Sequence, residues 1–236
     1  VIDHVNIRVS DFDASRAFYT LALGEPSAAG DFLEWDQFSL LPGPDVTRRL
    51  HVAFGVAGRE HVDAWWRRLV EAGYESDGEP GPRPRYSPSY YGGFVLDPDG
   101  NSVEAVRHDD PRRSIDHLWL RTRDVDAARR FYATIAPVVG LRLRYDAPGR
   151  VSFATGDGSF SFVRGDDATE NVDLAFAVAD AATVEGFHRR RRRRLPVERR
   201  TRPAAAVPRG LPRRVRARSR RSQRRSRLPR PPLSAR

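Results

Sequence analysis

The stretch IDHVNIRVSDFDASRAFY at residues 2–19 returns as IDHLWLRTRDVDAARRFY at residues 115–132, with ten of eighteen positions identical. Farther along, LHVAFGV (50–56) corresponds to VDLAFAV (172–178) at nearly the same spacing. A repeat of this length constrains the fold more than any local propensity, because one structural unit must be built twice from one chain. The 236 residues therefore hold two copies of a unit, each of about 110–120 residues, an ordinary domain size.

Hydrophobic spacing supplies the elements of that unit. In DHVNIRV, His4, Asn6 and Arg8 alternate with Val5, Ile7 and Val9, the pattern of a half-buried strand. Ser10 or Asp11 then caps a helix that places Ala14, Phe18 and Leu21 on one side. Two short strands fit residues 31–41 before the turn PGPD, and LHVAFGV opens the second half as a strand. A helix from about Glu60 to Ala72 follows, with Val62, Trp65 or Trp66, and Leu69 as a packing stripe and Gly73 as its stop. A long Pro/Gly/Tyr-rich loop (76–91) leads to GGFVL, the turn DPDG and a last strand NSVEAVRH.

The second copy follows this plan as far as DAATVEGFH and then runs into arginines. Residues 1–188 hold 20 Arg against 30 Asp and Glu, whereas residues 189–236 hold 21 Arg against Glu198 alone, so the net charge of +10 comes entirely from the tail. The tail has the composition of a disordered segment. It is also compatible with a slipped reading frame in GC-rich DNA, a base usage to which the absence of Lys points. Shifted by one register, LPVERRTR (195–202) can encode Gly-Tyr-Pro-Ser-Asn-Gly-Ala-Pro-Gly, which agrees with GYESDGEPG (73–81) at six of nine positions. The same register lets RSRRSQRR (218–225) encode Asp-Pro-Asp-Gly-His-Asn-Val-Glu opposite DPDGNSVE (97–104), with no gap between the two matches. Three regions are expected: a complete unit over 1–110, a partial one over 114–188 and an unstructured tail over 189–236.

Absence of Cys excludes a disulfide framework, a thiolate metal site and a cysteine nucleophile, and fits a reducing compartment. No apolar run reaches the roughly 18 residues of a membrane span, and no signal pattern opens the chain. A cytoplasmic protein without a membrane partner is expected. Arginines of the tail would attract phosphates, but the tail lacks the interleaved aromatics on which bases stack, so nucleic-acid binding through it is only a remote alternative.

The polar faces of the strands carry the candidate chemistry. His4 stands on the first strand, His51 on the strand opening the second half and Glu104 on the last strand. Two neutral imidazoles and a carboxylate are a facial set for Fe(II), Mn(II), Ni(II) or Zn(II) that leaves positions open for substrate. Each residue alone reads equally well as a hydrogen-bonded strand residue, since sequence separation does not report convergence. Tyr90 and Tyr91, with Tyr86 before them, precede the Glu104 strand, where a phenol could hydrogen-bond a bound oxygen anion or simply pack. His108 could act as acid or base at the rim. Arg8 and Arg121 face the same way as the His on their strands, toward an anionic substrate or local carboxylates.

The order IDHVNIRV, FY, LHVAF and GFVLDPDGNSVEAV resembles the vicinal oxygen chelate superfamily of glyoxalases, bleomycin-resistance proteins and extradiol dioxygenases, over residues 1–109 fully and 114–188 partly. The resemblance implies an α+β fold of tandem paired βαβββ modules forming cupped mixed sheets, the second unit incomplete. It implies a divalent metal held by His4, His51 and Glu104, with the first copy as the active unit. FSLL (38–41) offers no fourth ligand, leaving Glu34 or Asp36 as weaker ones. In the second copy His117 matches His4, Asp173 stands where His51 stood, and Arg225 occupies the place of Glu104; a restored frame would return a Glu there. The implied activity is that of a metal-dependent enzyme chelating vicinal oxygens of a small-molecule substrate, as a ring-cleaving dioxygenase or a lyase/isomerase. The alternative is a binding protein that sequesters its ligand without metal chemistry. The cups could close within the chain or between the subunits of a homodimer.

Overall fold

The computed structural model describes residues 2–108, 115–156, 158–194 and 215–218, with 189–194 and 215–218 described by backbone alone. Strand β1 (Ile2–Val9) buries Val5, Ile7 and Val9 and leaves His4, Asn6 and Arg8 on its other face, as the alternation requires. Helix α1 (Phe12–Leu23) starts at Asp11, whose carboxylate accepts the Ala14 N–H at 3.0 Å. Its buried stripe is Ser15, Phe18, Tyr19 and Ala22, turned by about one position from the expected one. The Tyr19 hydroxyl, which donates to the buried Asp97 at 2.9 Å, draws that side of the helix inward.

Strands β2 (Ala28–Ala29), β3 (Leu33–Trp35) and β4 (Phe38–Pro42) complete the first module. The second module begins with β5 (Leu50–Gly55) and α2 (Arg59–Glu71), which buries Val62, Trp65 and Leu69. Gly73, at φ +93°, supplies the left-handed turn that ends the helix. Next come β6 (Ser76–Pro82), β7 (Tyr91–Leu96) and β8 (Ser102–Arg107). Strand β6 lies inside the segment expected to be loop; it is the outermost strand of its sheet, where prolines are tolerated because one edge needs no donors.

The repeat supplies β9 (Ile115–Thr122), α3 (Val125–Val139), β10 (Arg142–Ala147), β11 (Arg150–Ala154), β12 (Ser159–Arg164), β13 (Asp173–Phe176) and α4 (Ala181–Arg194). Helix α4 runs through six residues of the arginine tract, farther than the composition suggested, because Arg is a good helix former once a helix has started. A short β14 (Val215–Arg218) pairs antiparallel with β13. The other expectations for 189–236 lie outside the described residues.

These strands form two mixed sheets that join the copies crosswise. One has the order β14-β13-β1-β4-β3-β2, the other β10-β11-β12-β9-β5-β8-β7-β6. The seams between copies are β1·β13 and β5·β9, both antiparallel, and they repeat one register: His4 faces Ala175 as His117 faces Ala53, and Asn6 faces Asp173 as Trp119 faces His51. One continuous core runs behind both sheets, with Phe18, Tyr19 and Phe38 clustered in the first copy and Phe153, Phe160, Phe162 and Phe176 around Tyr132 in the second. The fold is thus α+β, built from paired modules that close within the chain.

Candidate metal centre

The inner face of the eight-stranded sheet is set by the parity of three adjacent strands. On β5, Leu50 and Val52 face the core, which turns His51 outward. On β9, Leu118 and Leu120 do the same for His117 and Trp119. Parallel pairing of β8 with β5 sets Glu104 beside Ala53, which itself faces His117 across the seam. The turn before β8 holds this register. The buried Asp97 accepts hydrogen bonds from Tyr19, from the Asp99 and Asn101 N–H groups and from the Asn101 side chain, while the Asn101 side-chain oxygen accepts the Leu50 N–H that opens β5.

His51, Glu104 and His117 converge. The two imidazole Nε2 atoms face each other at 3.2 Å, and Glu104 Oε2 lies 3.1 Å from His51 Nε2 and 3.5 Å from His117 Nε2. At metal–ligand bonds of about 2.1 Å, a right angle separates neighbouring ligand atoms by about 3.0 Å and a tetrahedral angle by about 3.4 Å. The triangle therefore has the dimensions of a facial ligand set, and these residues fit a divalent ion. No other group of three or more His, Asp or Glu side chains with this convergence occurs among the described residues.

The surrounding bonds aim the three ligands. His117 Nδ1–H donates to Asp116 at 2.8 Å, and His51 Nδ1 pairs with the Ser102 hydroxyl at 3.0 Å; each leaves Nε2 to the centre. Glu104 is fully buried, and its second oxygen accepts the Tyr90 hydroxyl at 2.7 Å. Gly92, one strand over, makes the space: a Cβ there would lie 2.3 Å from Glu104 Oε1. Burial lowers the His51 pKa, His117 adds to the effect and the bond to Glu104 offsets only part of it, so the imidazole is held in its neutral, ligating form. For Asp116 burial acts to raise the pKa, but hydrogen bonds from His108 and His117 together outweigh it and hold the carboxyl well below its usual range. Burial and the Glu104 charge push the Tyr90 phenol far up, keeping it a donor.

Several expectations from sequence are relocated. His4 lies on the six-stranded sheet, with Nδ1 on Asp3 at 2.7 Å, and His117 from the second copy takes the place expected for it. The reason is topological: the neighbour of β5 is β9, not β1. Tyr90 and Tyr91, being adjacent, point to opposite faces; Tyr91 donates to Asp63 on α2 at 2.8 Å, away from the centre. His108 donates from Nε2 to Asp116 at 2.8 Å and stacks on Tyr90 at 5.9 Å, which places it one residue removed from His117. Glu34 and Asp36 belong to the β3–β4 hairpin of the other sheet, and the β12 positions beside His117 and Trp119 are Ser159 and Ser161, so no carboxylate on that strand adds a fourth ligand. The positioning role of Asp116 had no sequence signal beyond its adjacency to His117.

No helix among the described residues is long and apolar enough to cross a membrane. A family model described as Glyoxalase/Bleomycin resistance protein/Dioxygenase superfamily matches residues 1–105. No curated protein sequence matches. Among solved structures, a point mutant of glyoxalase I from Zea mays is similar at 20% identity and a TM-score of 0.59, over 81% of this chain and 79% of that one. Glyoxalase I from Zea mays without that substitution gives 16% identity and a TM-score of 0.53, over 81% and 79%. A proposed dioxygenase from Bacillus subtilis subsp. subtilis str. 168 gives 13% and 0.57, over 80% and 73%. At these identities the structures share the two-copy fold and nothing finer. Residues 1–105 thus match the glyoxalase, bleomycin-resistance and dioxygenase superfamily model, and the likeness to the solved structures extends the shared fold over both copies.

Proposed function

We propose that the chain is a divalent-metal enzyme in which His51, Glu104 and His117 hold the ion and the cup of the eight-stranded sheet holds a small molecule with two neighbouring oxygens. The observation that carries this reading is the convergence of two imidazole nitrogens and one buried carboxylate oxygen within 3.5 Å of one another. A bound ion would act as a Lewis acid, stabilising an enolate or catecholate formed from the chelated oxygens. The chain's own residues orient that chemistry. Asp116 and Ser102 fix the imidazole tautomers, and Tyr90 fixes the carboxylate. Phe94 packs against His51, and Trp119 follows His117 by two positions on its strand, so apolar walls flank the centre and limit access of water. Tyr90 and His108 are the groups placed to exchange hydrogen bonds with a substrate oxygen at the rim.

Three protein ligands leave room for two substrate oxygens and one further small ligand, an arrangement suited to ring-cleaving dioxygenation; a lyase or isomerase reaction uses the same chelation. The test is metal uptake by the full chain after chelator treatment, with Fe(II) under anaerobic conditions and with Mn(II), Ni(II) and Zn(II). One equivalent per chain is expected, lost in His117→Ala and kept in His4→Ala. Absence of uptake, or uptake indifferent to His117→Ala, refutes the metal centre and leaves ligand sequestration as the function.

A further inference from the structure

Beyond Trp119, the inner face of the same sheet carries a cation without a counter-ion among the described residues. Arg150 stands on β11 opposite Val163, and its guanidinium is clamped between two rings, 4.5 Å from the Trp119 centroid and 4.9 Å from that of Tyr145. Its Nε is buried and makes no hydrogen bond among the described residues, and no described carboxylate lies within ion-pair distance of it. This contrasts with Arg48, Arg49 and Arg129, each of which pairs with Asp or Glu. Close by, Arg144 reaches over the same face and donates to Ser159 at 3.3 Å, the residue in register with His117. A half-buried guanidinium held flat between aromatics, with a donor that no described residue satisfies, is preorganised to hydrogen-bond a planar anion.

We infer that Arg150 is a binding residue for a carboxylate group of the ligand, so that the substrate class is an aromatic or enolic compound with two vicinal oxygens at one end and a carboxylate at the other. The location of the oxygen end rests on the proposed metal centre; the carboxylate end does not. Trp119 lies two residues from His117, about 6.8 Å along the strand, and supplies the apolar floor between the ends. A carboxylate suits this place better than a bulkier phosphate because ring centroids lie 4.5 and 4.9 Å from the guanidinium and its Nε is buried.

The experiment separates the two ends. With the metal-free full chain, phenylacetate and its neutral counterpart phenylacetamide are titrated while tryptophan fluorescence is recorded. Phenylacetate is expected to bind at least about ten-fold more tightly. Arg150→Gln should bring that ratio close to one, and Arg150→Lys should keep part of it, with metal uptake unchanged in both variants. With Zn(II) loaded, 3,4-dihydroxyphenylacetate should bind more tightly than either phenylacetate or 4-ethylcatechol, read by calorimetry. Equal binding of the acid and the amide, no binding of either, or a preference surviving Arg150→Gln overturns the carboxylate site. A preserved acid preference in a chain that takes up no metal upholds the Arg150 site and overturns the metal centre instead.

Discussion

In the eight-stranded sheet, β5 and β9 run antiparallel with His51 opposite Trp119 and Ala53 opposite His117; in the six-stranded sheet, β13 and β1 run antiparallel with Asp173 opposite Asn6 and Ala175 opposite His4. The second layer repeats as well, since Asp3 holds the His4 Nδ1 as Asp116 holds that of His117, both at about 2.7–2.8 Å. What differs is the next strand outward. Beside β5 stands β8, parallel and carrying Glu104; beside β13 stands β14, antiparallel, from the arginine-rich segment. The turn that anchors β8 leaves the same mark deeper in the core. Tyr19 finds Asp97 as its hydrogen-bond partner, while its repeat counterpart Tyr132 has its pKa raised by burial alone. A repeated backbone register thus brings a candidate ligand triad together only where β8 supplies the third strand.

The comparison breaks most sharply at the carboxylates. Glu104→Gln should weaken metal binding by on the order of 100-fold or more, since a charged ligand is lost from a three-ligand set; Asp173→Asn should leave it within about two-fold. Competition against a fluorescent chelator reads both, and equal losses would mean that the two sheets contribute alike and the contrast between them is wrong.

The next largest effect lies one bond out. Asp116→Asn should cost roughly 10–100-fold in metal affinity through misoriented His117, whereas Asp3→Asn, at the equivalent bond of the other sheet, should cost nothing measurable. The same variant has a pH signature. The folded-state pKa of Asp116 is depressed, so its stabilising contribution is fully present above the unfolded carboxylate value of about 3.9 and disappears as pH falls toward the depressed folded value. Urea midpoints of the metal-free chain should therefore show a deficit for Asp116→Asn at pH 6 that narrows at pH 3; a constant deficit would assign the effect to packing.

The smallest contrast is in the core. Tyr19→Phe removes a donor from a buried carboxylate and should cost about 1.5–3 kcal/mol, with Tyr132→Phe costing about 0.5 kcal/mol. Matching losses in urea unfolding would show that the second tyrosine has an equally strong partner.

Much of this was visible in the repeat itself. The family resemblance implied His51 and Glu104 as ligands facing one cup, and Asp11, Gly73 and the DPDG turn marked ends that the structure keeps. Parity reports which face a residue occupies, though, and not which strand lies next to it. His4 and His117 are therefore indistinguishable by pattern, and only the order β9-β5-β8 decides between them. Strand β6 escaped because Pro and Gly mark loops in most places and edge strands in a few. The clamp on Arg150 depends on β9, β10 and β11 lying around β12, contacts that no local window contains.

Because the β5·β9 seam draws its ligands from both copies, neither copy alone owns a site. Carried on separate molecules, these half-sites would meet at a rate set by protein concentration, and dilution would take them apart. On one chain, with β8 ending at Arg107 and β9 beginning at Ile115, each is tethered to the other, and a covalent tether of this length sets an effective concentration on the order of millimolar. Occupancy of the proposed centre would then depend on metal supply and not on protein concentration.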